Sequence, residues 1–297
     1  MGEPAGERIG IVGVGVMGGA IARRFLAQGC EVAAFDPAPA RLDEVAALGA
    51  HRCASPMALA REVEVVILSL NRADIVADAV FGSIGVAAGA RPGQLLVDMS
   101  SIDPTSTQEF ARRAATLVGL RWVDAPLSGG VPAAERGALT IMAGGTEQDV
   151  ASTAHALRHV AANVTHMGPV GAGQTAKLVN QVLVGGLLAL MMESCRLAEA
   201  CGLDVRRLPD ALRGGRADSR VLQEFLVKMA DRDYSPTGRI DNMLKDLTTA
   251  HAAAGAANVA MPLTAANLDL HRWLVGRGLG PADSAAMMEY YATEEPT

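Results

Sequence analysis

The sequence predicts an α/β protein: a doubly wound, mostly parallel sheet in the N-terminal part, followed by an all-helical C-terminal part. Short β-branched runs alternate with helical segments from Arg8 to about Met167, and no convincing strand follows. The 297 residues are rich in small apolar side chains, and only 3% of them are aromatic. This composition favours packed helices and parallel strands over an all-β sandwich.

The alternating region supplies the strands of the predicted sheet. They are expected at 8–13, 31–35, 64–70, 94–100, 121–126, 139–145 and 163–168, with helices that include 16–29, 56–62, 104–118 and 146–160. Repeated strand, helix and strand implies right-handed crossovers, and such crossovers produce a parallel sheet.

The remainder of the chain reads as helices alone. They are expected at 174–201, 204–213, 217–230, 239–255, 262–277 and 282–291. The glycine- and proline-containing segment 168–173 breaks regular structure and therefore marks a boundary. We predict one domain over residues 1–169 and a helical domain over 170–297, whose apolar helices suggest a dimer or larger homo-oligomer.

Charge and cysteine usage exclude several classes of protein. The formal net charge is −6 and no basic stripe appears, so a nucleic-acid partner is not expected. The four cysteines and six histidines have neither metal-ligand nor redox-motif spacing, which predicts reduced thiols and no metal site.

Neither the N-terminal segment nor the longest apolar stretch indicates export or a membrane. The N-terminal MGEPAGERIG lacks a basic segment leading into an apolar one. The longest apolar stretch, Leu178 to Met192, is interrupted by Asn180 and Gln181 and is too short to span a bilayer. We therefore expect a cytoplasmic protein.

The stretch GVGVMG (13–18) predicts a dinucleotide-binding turn. It follows the first strand and opens a helix, the setting that makes this weak pattern informative. Gly13 permits a tight turn, Gly15 lets backbone approach the pyrophosphate, and Gly18 lets the helix pack on the strand. Val16 and Met17 begin the helix, whose N-terminal amides would face the anion.

Asp36, at the end of the second strand, bears on the choice of cofactor. Its carboxylate is expected to accept hydrogen bonds from the adenosine ribose and to repel a 2′-phosphate, which favours NAD while leaving NADP possible. Two alternatives remain: Asp36 and Pro37 could merely start a turn, and Arg41 could reach a phosphate.

The loop 124–145 follows a predicted strand and contains Ser128, Gly129 and Gly130. A Ser-Gly-Gly turn at the carboxyl edge of a sheet presents a hydroxyl and consecutive amides, a small nest suited to a carboxylate. A flexible loop without a ligand is the alternative.

Lys177, Asn180 and Gln181 are spaced i, i+3 and i+4, so they share one face near the start of a predicted apolar helix. Burial and the helix dipole are each expected to lower the pKa of this lysine. It could then accept a proton while an alcohol gives up hydride, or return the proton in reduction. The alternative is a snorkelling lysine with no chemical role.

Four motifs, in order, resemble those of the β-hydroxyacid dehydrogenase family. They are IGIVGVGVMGGAIARRFLAQG (9–29), DAPLSGGVPAAERGALTIMAGG (124–145), GAGQTAKLVNQ (171–181) and KDL (245–247). The resemblance covers nearly the whole chain. It implies a Rossmann domain, a helical substrate-binding domain, and NAD(P)-dependent interconversion of a small 3-hydroxy acid and its semialdehyde.

The resemblance also implies roles for individual residues. Lys177 matches the catalytic lysine, Ser128 to Gly130 match the substrate carboxylate loop, and Lys245 matches a residue beside the nicotinamide. Ser101, and Leu70 and Asn71 of SLN (69–71), match cofactor-lining positions. Gln181 departs from the asparagine of many members. The family includes 3-hydroxyisobutyrate dehydrogenases and 2-hydroxy-3-oxopropionate reductases; alternatives are imine reduction on the same frame and a non-catalytic NAD sensor.

Overall fold

The computed structural model describes residues 8–292. Residues 1–7 of the first predicted domain and 293–297 of the second lie outside that range. The chain divides into two compact units between Lys177 and Leu178. The boundary predicted at 169/170 stays a prediction. One helix, α9 (Ala172–Ala200), begins in the first unit and continues in the second.

The first unit is built on a nine-stranded sheet. Its strands are β1 (Ile9–Val12), β2 (Val32–Phe35), β3 (His51–Arg52), β4 (Val65–Leu68), β5 (Leu95–Asp98), β6 (Arg121–Asp124), β7 (Leu127–Ser128), β8 (Leu139–Gly144) and β9 (Ala161–Gly168). The spatial order is β3-β2-β1-β4-β5-β6-β8-β7, with β9 paired to β8. From β3 to β6 all pairings are parallel, whereas β8 runs antiparallel to β6 and β7. The predicted doubly wound, mostly parallel sheet is confirmed.

Helices cover this sheet. They are α1 (Val16–Ala27), α2 (Pro39–Ala46), α3 (Pro56–Glu62), α4 (Ala73–Phe81), α5 (Val86–Gly89), α6 (Pro104–Val118), α7 (Gly130–Arg136) and α8 (Glu147–Ala156). The bounds of α3 and α6 agree with the prediction because each begins with a cap followed by proline. The Ser55 hydroxyl accepts from the Ala58 amide, and the Asp103 carboxylate accepts from the Ser106 amide.

The second unit is helical, as predicted. After α9 it contains α10 (Leu208–Leu212), α11 (Arg220–Asp231), α12 (Ile240–Ala256) and α13 (Pro262–Gly276), with 3₁₀ turns at Val205–Arg207 and Ser284–Tyr290. Its apolar core includes Leu188, Met192, Phe225, Leu226 and Met287.

Helix α9 has 29 residues and is, by length and composition alone, apolar enough to cross a membrane. In its most apolar window 28% of the residues are buried. A single helix of this kind is weak evidence of a membrane span, because the core helix of a soluble protein passes the same test. The helix is longer than the apolar stretch Leu178 to Met192, which alone is too short to span a bilayer, so the expected absence of a membrane segment stays a prediction.

Candidate functional site

The turn after β1 needs glycine at two positions. Gly13 has φ +91°, and a Cβ there would meet the Ser69 carbonyl oxygen at 2.6 Å. A Cβ on Gly18 would meet the Gly13 carbonyl oxygen at 1.9 Å. The first helix therefore packs directly against the end of β1, as the sequence predicts, and only glycine allows that approach.

The start of helix α1 is suited to an anion. Gly15, its N-cap, supplies no side-chain cap, and no acidic residue occupies the first turn. The first-turn amides thus have no side-chain acceptor there, and the helix dipole favours a negative group. Val16 is 78% exposed and Met17 half-buried beside these amides. These features fit the pyrophosphate of a dinucleotide.

Asp36 is buried, and each oxygen of its carboxylate accepts a backbone amide. Oδ2 accepts from Val14 N and Oδ1 from Ala38 N, both at 2.9 Å. The residue therefore does start a turn, the alternative considered above, and it also braces the glycine-rich loop. A carboxylate has further lone pairs for a ribose hydroxyl. It lines a shallow pocket of about 410 Å³ with Phe35, Pro37, Pro39, Leu42, Arg52, Cys53 and Ala54.

Two predicted cofactor-lining loops are joined at the carboxyl ends of β4 and β5. The Leu70 amide donates to the Ser100 hydroxyl at 3.1 Å, and the Ser100 amide donates to Asp98 Oδ1 at 3.0 Å. Asn71 is exposed and Ser101 half-buried in these loops. The chain thus places both segments at the sheet edge where ligands of open α/β sheets bind.

Asp98 and Asp124 end two neighbouring parallel strands and are paired in register. Both carboxylates are fully buried. Burial raises the pKa of Asp98 to about 6, with a smaller contribution from the charge of Asp124. Burial also raises the pKa of Asp124, although the hydrogen bonds it accepts from backbone amides act to lower it. Asp98 Oδ2 has no hydrogen-bond partner within the described residues.

Asp124 anchors the first turn of α9. Its Oδ1 accepts from Gly171 N at 2.8 Å and its Oδ2 from Gln174 N at 2.9 Å. Gln174, fully buried, extends the link: its Nε2 donates to the Ser100 carbonyl at 2.8 Å, and its Oε1 accepts from Ile102 N at 3.3 Å. The start of α9 is therefore bonded to the ends of β5 and β6.

One turn further along α9, Lys177 Nζ donates to the Leu127 carbonyl at 2.7 Å. Leu127 directly precedes Ser128, Gly129 and Gly130, so the fold brings the lysine to the predicted carboxylate loop. Gly129 and Gly130 have φ +122° and +64°, conformations that favour glycine. Lys177 is half-buried.

In the second unit, Gln181 and Lys245 contact Asp246, and Asn180 joins this group through Gln181. Asn180 Nδ2 donates to Gln181 Oε1 at 2.9 Å, and Gln181 Nε2 donates to Asp246 Oδ2 at 2.5 Å. Lys245 Nζ lies 3.1 Å from Asp246 Oδ1. Asp246 itself is 8% exposed. The carboxylate thus fixes which way the Gln181 amide points.

The structure adds three residues that sequence reasoning did not assign: Asp124, Gln174 and Asp246. Asp124 and Asp246 stand inside the quoted motifs DAPLSGG and KDL, and Gln174 inside GAGQTAK. An expected buried position is the sequence signal that could have identified each of them, because buried polar groups need hydrogen-bond partners.

Comparisons with known proteins agree with this geometry. Residues 8–168 match the NAD binding domain of 6-phosphogluconate dehydrogenase. Residues 171–291 match the family described as NAD-binding of NADP-dependent 3-hydroxyisobutyrate dehydrogenase.

Individual relatives resemble nearly the whole chain. A 2-(hydroxymethyl)glutarate dehydrogenase from Eubacterium barkeri is 33% identical over 96% of this chain and 94% of its own. A 2-hydroxy-3-oxopropionate reductase from Escherichia coli is 30% identical over 95% and 96%. The crystal structure of a 3-hydroxyisobutyrate dehydrogenase from Salmonella typhimurium is 30% identical, with a TM-score of 0.86 over 96% of this chain and 99% of that one.

Proposed function

The chain belongs to the β-hydroxyacid dehydrogenase family, and we propose that it interconverts a small 3-hydroxy acid and its semialdehyde, with Lys177 as general acid and base. It is an NAD(P)-dependent oxidoreductase of hydroxy acids, like its relatives. The observation that carries the proposal for Lys177 is its hydrogen bond to the Leu127 carbonyl, which holds a proton carrier next to the Ser-Gly-Gly loop.

Each residue has a defined task in this proposal. The Ser128 hydroxyl and the amides of Gly129 and Gly130 bind the substrate carboxylate. Lys177 takes the hydroxyl proton as the alcohol is oxidised and returns it to the alkoxide in reduction. The bound dinucleotide supplies or accepts the hydride.

The amide cluster of the second unit orients the substrate. Asn180 and Gln181 retain donor and acceptor capacity beyond their bonds to one another and to Asp246, and they hold the substrate oxygen. By the family resemblance, Lys245 is assigned to cofactor binding. Leu70, Asn71 and Ser101 would line the cofactor, and the Asp36 carboxylate would accept a hydrogen bond from a ribose hydroxyl, which favours NAD over NADP.

Replacing the lysine tests the proposal. Lys177→Ala should reduce kcat by about 10²- to 10⁴-fold while the Kd for the dinucleotide changes less than about twofold. Arg272→Ala is the control, because that exposed cation pairs with Asp269 at the surface of the second unit and should leave turnover intact. Turnover of the Lys177 variant above a tenth of the parent would contradict the assignment.

A substrate screen separates the proposal from its two rivals. NADH and NADPH oxidation is followed with small semialdehydes and with cyclic imines. Reduction of semialdehydes supports the proposal, preferential reduction of imines favours imine chemistry on the same frame, and dinucleotide binding without any turnover indicates a sensor. The presence of Lys177 is the feature that favours alcohol and aldehyde chemistry.

We also infer a homo-oligomer. Helix α9 exposes Val179, Leu183, Leu190 and Leu197, each more than half exposed and spaced to lie along one face. Light scattering on the protein and on Leu190→Arg tests this: we expect a dimer or tetramer that the substitution dissociates, and a monomeric parent contradicts it. The thiols of Cys53, Cys195 and Cys201 are free, which supports a cytoplasmic location.

A further inference from the structure

We propose that His51, Cys53 and Glu62 form a site for a borderline-soft divalent cation of the Zn²⁺ class. The sequence predicts no metal site, because the spacing of these residues matches no common ligand motif. The fold nevertheless brings one potential ligand atom of each to within 4.8 Å of the other two. His51 Nε2 and Glu62 Oε2 are 3.2 Å apart.

The backbone explains why these three side chains meet. His51 begins β3, and Cys53, two residues after His51, directly follows the strand, so both side chains are expected on the same face. The Cys53 amide donates to the Ala34 carbonyl at 2.9 Å, which fixes the thiol beside β2. Glu62 is the last residue of α3, the helix that returns across this edge of the sheet.

The donor set selects the kind of cation. Imidazole nitrogen, thiolate sulfur and carboxylate oxygen are all zinc ligands, whereas Mg²⁺ and Ca²⁺ prefer oxygen alone. Tetrahedral Zn²⁺ with bonds of about 2.0–2.3 Å places its ligand atoms roughly 3.3–3.8 Å apart. The His51–Glu62 separation already matches this spacing, and Cys53 needs a shift of at most about an ångström. Three protein ligands leave a fourth position for water.

Binding a dication would also change the protonation of this site. A bound dication would neutralise Glu62 and convert the thiol to thiolate with release of one proton. His51 Nε2 and Glu62 Oε2 lie at the surface, where their contact contributes little to stability.

Cd²⁺ titration of the reduced full-length protein, followed by the ultraviolet thiolate-to-cadmium charge-transfer band, tests this site. We expect one equivalent bound per chain, displacement by Zn²⁺ but not by Mg²⁺, and loss of the band in Cys53→Ser. His51→Ala and Glu62→Gln should each weaken binding by about tenfold or more, the scale on which metal sites respond to lost partners. Cys201→Ser removes an exposed thiol and should leave the band unchanged.

Two results would overturn the proposal. A band that persists in Cys53→Ser places the cadmium at another thiol. Affinities of His51→Ala and Glu62→Gln within twofold of the parent reduce the signal to a simple thiol adduct. Because His51 and Glu62 lie at the surface, their variants are expected to fold, so they remain decisive if the Cys53 variant is unstable.

Discussion

The two units hold their polar groups with different kinds of partner. In the first unit Asp124 and Gln174 are fully buried and bonded to backbone amides and carbonyls. In the second, Asp246 is bonded to the side chains of Gln181 and Lys245. Backbone partners cannot leave without moving a strand or helix, whereas side chains can rotate. The first arrangement fixes a helix; the second can adjust to a ligand.

This contrast makes removal of Asp124 the most damaging change. Asp124→Ala leaves the Gly171 and Gln174 amides buried without an acceptor, at a cost of about 1–3 kcal/mol each, so the free energy of unfolding should fall by roughly 4 kcal/mol. Asp103→Ala is the matched control, since it removes a local helix cap worth about 1 kcal/mol. Urea unfolding measures both. Equal losses of unfolding free energy would show that the bonds from Asp124 to the start of α9 contribute no more than a local helix cap.

Asp98 also belongs to the first unit, but one oxygen of its buried carboxylate has no hydrogen-bond partner among the described residues. Its pKa is raised to about 6, so the folded state holds the proton more tightly than the unfolded state does. The resulting stability is fully present below the unfolded pKa near 4 and is lost as pH rises through 6, by roughly 3 kcal/mol. Asp98→Asn lacks this dependence.

The measurement is the unfolding free energy at pH 4 and at pH 7. Relative to the parent, Asp98→Asn should gain stability between the two by up to roughly 3 kcal/mol. Asp74→Asn is the control of opposite sign, because Arg72 lowers the pKa of that exposed carboxyl. A difference between Asp98→Asn and the parent that does not change with pH would contradict the assigned ionisation.

Asp246 should affect catalysis more than stability. Asp246→Ala frees the Gln181 amide and Lys245, so kcat/KM for the hydroxy acid should fall about tenfold or more, equivalent to at least about 1.4 kcal/mol. The unfolding free energy should change by less than about 1.5 kcal/mol, since both partners can reach water. Asp241→Ala, on the same helix and paired with Arg239, serves as control. Loss of stability without loss of kcat/KM would assign Asp246 to the fold alone.

The fold could be predicted from the sequence where local signals were strong. Alternation of strands and helices predicts the parallel sheet, and Ser55 and Asp103 with their following prolines define α3 and α6. The two-residue strands β3 and β7 carry too little pattern to be recognised. Their existence depends on neighbouring strands rather than on their own residues.

The same distinction holds for the candidate site. The spacing of Lys177, Asn180 and Gln181 predicts one helical face without any tertiary information. Asp124 could not be identified in this way, because the amides it accepts lie 47 and 50 residues away. Asp246 is likewise 65 residues from Gln181. Periodicity reports positions within one element, and these bonds join different elements.

Replacing Arg41, a cation near the glycine-rich loop of the first unit, is expected to have the smallest effect, a modest loss of dinucleotide affinity. Its Nη1 lies 3.5 Å from the position a Cβ on Gly15 would take, near the start of α1. We therefore expect Arg41→Ala to weaken NADH and NADPH binding equally, by about fivefold, the loss of roughly 1 kcal/mol for one exposed charge. Arg61→Ala, on the exposed side of α3, should change neither Kd.

Equal losses would place Arg41 at the pyrophosphate, which both cofactors share, and would leave discrimination to Asp36. In that case Asp36→Ala should raise NADPH affinity relative to NADH, because a carboxylate repels a 2′-phosphate. If Arg41→Ala weakens the binding of NADPH alone, the guanidinium instead binds the 2′-phosphate. In that case Arg41, rather than the Asp36 carboxylate held by two backbone amides, would determine the choice between NADH and NADPH.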